Sequence, residues 1–120
     1  ANVHQLAEFP IITFARKTQP YELVKSLFNR PDLPAIKLHA SASMATVVHL
    51  SLEGIGIAVI PYQLVQDELQ AGRLVLIQSE ARMPQLSFCA SWLESPDTLA
   101  VELVVDIAAR VADTRAATVA

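Results

Sequence analysis

Apolar and polar positions along this chain switch repeatedly between a two-residue and a roughly 3.6-residue period, and each switch marks an element. Ile11-Ile-Thr-Phe-Ala15 is a β-branched and aromatic run between Pro10 and the polar Arg16-Lys-Thr-Gln19, which predicts a buried strand. Pro20 suits the first turn of a helix with Thr18 or Gln19 near the cap, and Leu23, Val24, Leu27 and Phe28 continue it at helical spacing. Asn29-Arg-Pro-Asp-Leu-Pro34, with two prolines, is a connection. Ile36, Leu38 and Ala40 then alternate with Lys37 and His39, the pattern of a strand with one covered face. Either Ser41 or Ser43 can cap the helix that follows over about residues 44–53, and Gly54 stands where such a helix ends in a left-handed residue.

Residues 56–60 are apolar on both faces, as a central strand of an α/β sheet is, and Pro61 ends them and can open the next helix. Leu64, Val65, Glu68 and Leu69 predict a helix over 62–70, closed by Ala71-Gly-Arg73. Residues 74–77 and 86–93 predict two further strands. Ser95-Pro-Asp-Thr98 offers a cap, a proline for the first helical position and an early acid. The final helix would pack through Ala100, Leu103, Val104, Ile107, Ala108 and Val111, with Glu102, Asp106 and Arg110 on its solvated side and residues 113–120 frayed. After a leading helical turn the order is β, α, β, α, β, α, β, β, α. That order predicts an α/β fold with a mainly parallel sheet flanked by helices on both sides.

Composition narrows the chemistry. With 120 residues of which 52% are hydrophobic, the chain can bury one domain's core, and a net charge of −3 without a basic run makes it a poor grip for phosphate backbones. Cys89 is the single cysteine, so no disulfide framework or cysteine zinc cluster is available, and its place between Phe88 and Trp92 predicts a buried structural thiol. His4, His39 and His49 are too dispersed to read as metal ligands, Gly-x-Ser-x-Gly is absent, and His49 has no acid at triad spacing. No cofactor, no metal and no catalysis is expected. No apolar run reaches the roughly 18 residues of a membrane span, so no membrane partner is expected and the chain fits a reducing cytoplasm.

Leu52-Glu-Gly-Ile-Gly-Ile-Ala-Val-Ile-Pro61 raises the question of a nucleotide, because it holds two glycines two residues apart. A dinucleotide fingerprint needs a strand before its glycines, a helix after them and a third glycine three residues on. Here a helix precedes, a strand follows and Val59 occupies the third position. Gly54 therefore reads as a helix end, Gly56 as a tight turn into a strand and Pro61 as that strand's stop.

Three stretches, Ser41-Ala-Ser-Met44, His49-Leu-Ser-Leu-Glu-Gly-Ile-Gly-Ile-Ala-Val-Ile-Pro61 and Leu69-Gln-Ala-Gly-Arg-Leu74, occur in the order and spacing of the effector-binding domain of LysR-type transcriptional regulators, which the chain resembles over about residues 5–112. The resemblance implies a periplasmic-binding-protein-like (type 2) fold of two α/β subdomains with an effector crevice between them, in a bacterial, cytoplasmic regulator. It implies that residues 1–85 are the second subdomain and that residues 86–120 are the return strand and C-terminal helix of the first. Most of that first subdomain, and the helix-turn-helix domain through which such regulators hold DNA, would precede Ala1. A homodimer or homotetramer is implied as well.

In an open α/β sheet ligands bind beyond the carboxyl ends of strands, where helix N-termini present free N–H groups to an anion. The effector-binding candidates are accordingly Arg16, Lys17 and Thr18 after the first strand and Ser41, Ala42, Ser43 and Met44 after the second, with a small carboxylate as guest. Two readings stay open for Ser41 and Ser43, capping alone or capping with ligand contact; Arg16 or Lys17 could add charge, with solvent the favoured reading for Arg16. Two other functions remain in play. A solute-binding transport protein shares the fold, and an oligomerisation module would use the apolar helices without any ligand.

Overall fold

The computed structural model describes residues 1–83, 89–96 and 98–118. The chain forms two compact units, Ala1–Gln85 and Leu86–Ala120.

The first unit is built on a three-stranded parallel sheet, β1 (Ile11–Phe14), β2 (Leu38–Ser41) and β3 (Ile57–Ala58), in the order β2-β1-β3. β1 is thus the centre, and it earns that place by composition: Ile11, Ile12 and Thr13 are all fully buried. The expected central strand over 56–60 is instead a two-residue edge strand, because only Ile57 and Ala58 pair with β1. The crossover from β1 to β2 carries α2 (Gln19–Phe28) and the one from β2 across to β3 carries α3 (Met44–Leu52); because the two run in opposite directions along the sheet, the right-handed rule for parallel connections assigns the helices to opposite faces. Core packing agrees. Ile11 clusters with Val24 and Phe28 of α2 and with Ala7 of the leading helix α1 (Val3–Ala7), while Ile12 points to the face where α3 buries Val47.

Local chemistry sets the helix ends. Thr18 caps α2 with Pro20 in its first turn, and Ser43 caps α3 through an N–H···O bond from Thr46. Asn2 and Gln5 form a reciprocal capping box at α1. At the far end of α3, Gly54 adopts φ +70°, its N–H donates to the Ser51 carbonyl and the Ile55 N–H donates back to Leu50, a complete Schellman closure. Gly72 (φ +69°) repeats the arrangement, with bonds to Leu69 and from Arg73 to Glu68. Gly56 has a different reason from the tight turn expected. A Cβ there would stand 2.2 Å from the Pro10 carbonyl oxygen, so the glycine lets β3 lie directly against the start of β1.

Four further expectations change. Residues 62–70 form a 3-10 turn (Tyr62–Val65) with Pro61 at its cap, followed by the short α4 (Gln66–Gln70), in place of one helix. Residues 74–77 form no strand, and Val75 is 82% exposed; a strand exists by exchanging hydrogen bonds with a neighbour, and no described strand lies alongside. Of the strand expected over 86–93, residues 86–88 lie outside the described residues and 89–93 are not in a strand. Cys89 is exposed, and its own unit has no strand among the described residues.

In the second unit, α5 (Thr98–Thr118) begins at Thr98, three residues after the expected cap Ser95. The Thr98 hydroxyl accepts from the Ser95 N–H and donates to the Ser95 carbonyl. The helix continues to Thr118, through part of the region expected to fray, where alanines and an arginine favour helical backbone. Its expected buried face is open: Leu103, Val104, Ile107 and Val111 are each at least half exposed.

Candidate functional site

Phe14 pairs with Ser41 at the last register position of β1 and β2, so the two chain segments leaving these strands start side by side. One is residues 15–18 running into α2, the other residues 42–43 running into α3. Both helices therefore aim their N-termini and the positive ends of their dipoles at the same end of the sheet; α3 leaves the Met44 and Ala45 N–H groups outside its cap, whereas in α2 Pro20 has no N–H and the Thr18 cap takes that of Tyr21. Because β3 is also parallel, residues 59–62 leave the sheet at this end as a third wall.

Within that frame the candidate side chains are unequal. Thr18 is fully engaged: its hydroxyl donates to the Ala15 carbonyl at 2.7 Å and accepts from the Tyr21 N–H at 3.4 Å. Ser41 and Ser43 only accept, Ser41 from the Ser43 N–H at 3.1 Å and Ser43 from the Thr46 N–H at 3.3 Å. Their hydroxyl protons have no acceptor among the described residues. Ser41 is half-buried, Ala42 and Ser43 are exposed and Met44 is half-buried at the first turn of α3. A bound acceptor can thus receive O–H donors here without breaking either cap.

Arg16 and Lys17 are both exposed and neither forms an ion pair with a described residue. Lys17 has φ +66°, the single non-glycine residue in the left-handed region among the described residues. Such backbone costs a β-carbon-bearing residue about 1–2 kcal/mol. The closed turn from Ala15 to Thr18, with the Thr18 N–H also reaching the Ala15 carbonyl, holds it there.

Sequence reasoning named ligand candidates in the segments after β1 and β2 and none in the segment after β3. Pro61, read as a strand stop that can open the next helix, does cap the 3-10 turn that follows β3, with the Leu64 N–H donating to its carbonyl. A buried threonine inside an aliphatic strand, Thr13, was the available signal. Elsewhere, a shallow groove of about 260 Å³ runs between Tyr21, Lys25 and Phe28 of α2 and Ile36 and Leu38 at the start of β2, and no residue of the three strand-end loops lines it. Among the described residues no group of three or more His, Cys, Asp or Glu is placed to hold a metal. None of their helices is long and apolar enough to cross a membrane.

Parallel strands joined through helices packed on the sheet define a parallel α/β domain. Its family is equally definite. The family model described as the LysR substrate binding domain matches residues 1–113, and the chain belongs to that family. The small parallel sheet with helices on both faces agrees with the type 2 periplasmic-binding-like fold that membership implies, and the family is one of ligand-sensing regulator domains. No curated protein and no solved structure matches the chain.

Proposed function

We propose that this chain is the co-inducer-sensing part of a LysR-type transcriptional regulator and that a small carboxylate is its effector. The observation that carries the reading is the Phe14–Ser41 pairing, which brings two helix N-termini together with the uncommitted hydroxyls of Ser41 and Ser43. A carboxylate at neutral pH is ionised and acceptor-only, so it matches a site made of N–H groups, O–H groups and the nearby cations Arg16 and Lys17. The role is sensing and not catalysis, and the regulator works in the cytoplasm, touching DNA only through a separate helix-turn-helix domain.

In this reading residues 1–85 are the second subdomain and residues 86–120 belong with the first. The exposed apolar face of α5 supports the second half of that statement, because a helix with Leu103, Val104, Ile107 and Val111 uncovered calls for an apolar neighbour. An effector bridging two subdomains acts by its difference in affinity between open and closed arrangements, and a homodimer or homotetramer would transmit the change to DNA.

Calorimetric titration with acetate, benzoate, succinate and citrate tests the ligand class. Binding by at least one of them, weakened about tenfold when Ser41 is replaced by Ala, is the expected result. No heat and no thermal shift with any of the four at millimolar concentration overturns it.

A further inference from the structure

We propose that Thr13 is the positioning residue for the third wall of the crevice, residues 60–62, and that its hydroxyl decides where this segment leaves the sheet. The inference rests on the effector-crevice reading above. Thr13 is 0% exposed at the middle of the sheet, between Ile12 and Phe14. A hydroxyl buried among aliphatic side chains is destabilising unless it is hydrogen-bonded, and this one donates to the Val59 carbonyl at 3.1 Å.

That bond stands where the backbone ladder would otherwise continue. The Ile57 N–H donates to the Pro10 carbonyl at 2.8 Å and the Val59 N–H to the Ile12 carbonyl at 2.9 Å. In an evenly spaced parallel ladder the next rung would run from the Phe14 N–H to the Val59 carbonyl. The paired register stops one step short, at Ile12 and Ala58, and the Thr13 hydroxyl takes that carbonyl. A side chain thus replaces a rung. β3 is held at its end without being extended, and the chain turns out at residue 60 toward Pro61 and its 3-10 turn, at the same end of the sheet where residues 15–18 and 42–43 leave β1 and β2.

Two substitutions separate the hydroxyl from its bulk. Thr13→Val keeps the branched shape and removes the donor; Thr13→Ser keeps the donor and loses a methyl. Amide hydrogen exchange is read across the chain, together with the affinity of whichever of acetate, benzoate, succinate or citrate the unaltered chain binds most tightly. In Thr13→Val, exchange at Val59 and Leu64 is expected to accelerate about tenfold more than at Val24 and Val47, and affinity to fall about tenfold. Thr13→Ser restores both. Unchanged exchange at Val59 and Leu64, a uniform rise across the first unit, or no restoration by serine overturns the proposal. So does a carboxylate that binds Thr13→Val as tightly as the unaltered chain while Val59 and Leu64 loosen, because residues 60–62 would then not bear on the ligand. If the exchange pattern and its restoration appear but none of the four carboxylates binds at all, the positioning role stands and the carboxylate reading falls.

Discussion

Residues 1–85 and 86–120 are both rich in aliphatic side chains, yet they use them in opposite ways. The first unit withdraws Ile11, Ile12, Val24 and Val47 completely from water, whereas α5 of the second leaves Leu99, Leu103, Val104 and Ile107 between 55% and 72% exposed. The contrast separates two sources of order. α5 is helical because its backbone favours it, with Ala-rich turns and a Ser95–Thr98 start, while the first unit is ordered because three strands and two helices bury one another's faces. Hydrophobicity alone therefore does not make a core. It does so where chain topology supplies a facing surface.

The largest effect should come from the centre of the first unit. Ile11→Ala removes a fully buried side chain that touches α1 and α2, and about 2–5 kcal/mol should be lost in denaturant unfolding. Gly56→Ala comes next. Its Cβ meets Pro10 backbone that has no room to move, so about 1–3 kcal/mol is expected, with the thermal midpoint falling although a helix-favouring residue has replaced a glycine. An unchanged midpoint would mean that β3 does not lie against β1 as described. Ser43→Ala removes the α3 cap and should lower stability by about 1 kcal/mol while slightly fraying residues 44–47 in amide exchange.

Leu103→Ala in α5 supplies the contrast: within about 0.5 kcal/mol of no change is expected, since the side chain is 55% exposed and alanine is the better helix former. A loss comparable with that of Ile11→Ala would show that α5 is packed in solution and would abolish the distinction between the units. The smallest effect belongs to a surface cluster. The Arg30 guanidinium, bonded to both carboxylate oxygens of Asp32 at 3.0 and 2.7 Å, holds that carboxyl below its usual range, with His4 at 3.3 Å adding to it. A carboxyl whose pKa is lower folded than unfolded stabilises the fold above its unfolded value, and that contribution disappears as the pH drops through the folded value. Unfolding midpoints of the chain and of Asp32→Asn should differ slightly at neutral pH and converge under acid conditions below the ordinary aspartate range.

Much of this was legible along the chain, and the legible parts share a cause. Thr18 with Pro20, Ser43, Gly54 and Gly72 are signals whose partners sit within a few residues, so caps and helix ends follow from short sequence windows. That residues 15–18 and 42–43 connect a strand to a helix was legible the same way. The LysR substrate binding domain was legible too, because its stretches are spaced as the family spaces them.

Pairing and cover were not legible, because they depend on residues far apart in the chain. Residues 56–60 have the composition of a central strand, but the Pro10 carbonyl, 46 residues from Gly56, and the Thr13 hydroxyl, 46 from Val59, set where β3 lies and where it stops. Residues 74–77 and Cys89 carry strand-like surroundings, but a strand needs a neighbour's hydrogen bonds and a buried thiol needs a sheet to cover it. The chain's own order of residues establishes the parallel α/β class, the helix ends and the family. Where β3 stops, and the bond from the buried Thr13 hydroxyl at that point, arise only when distant segments meet, since a hydrogen bond between them has no local pattern to announce it.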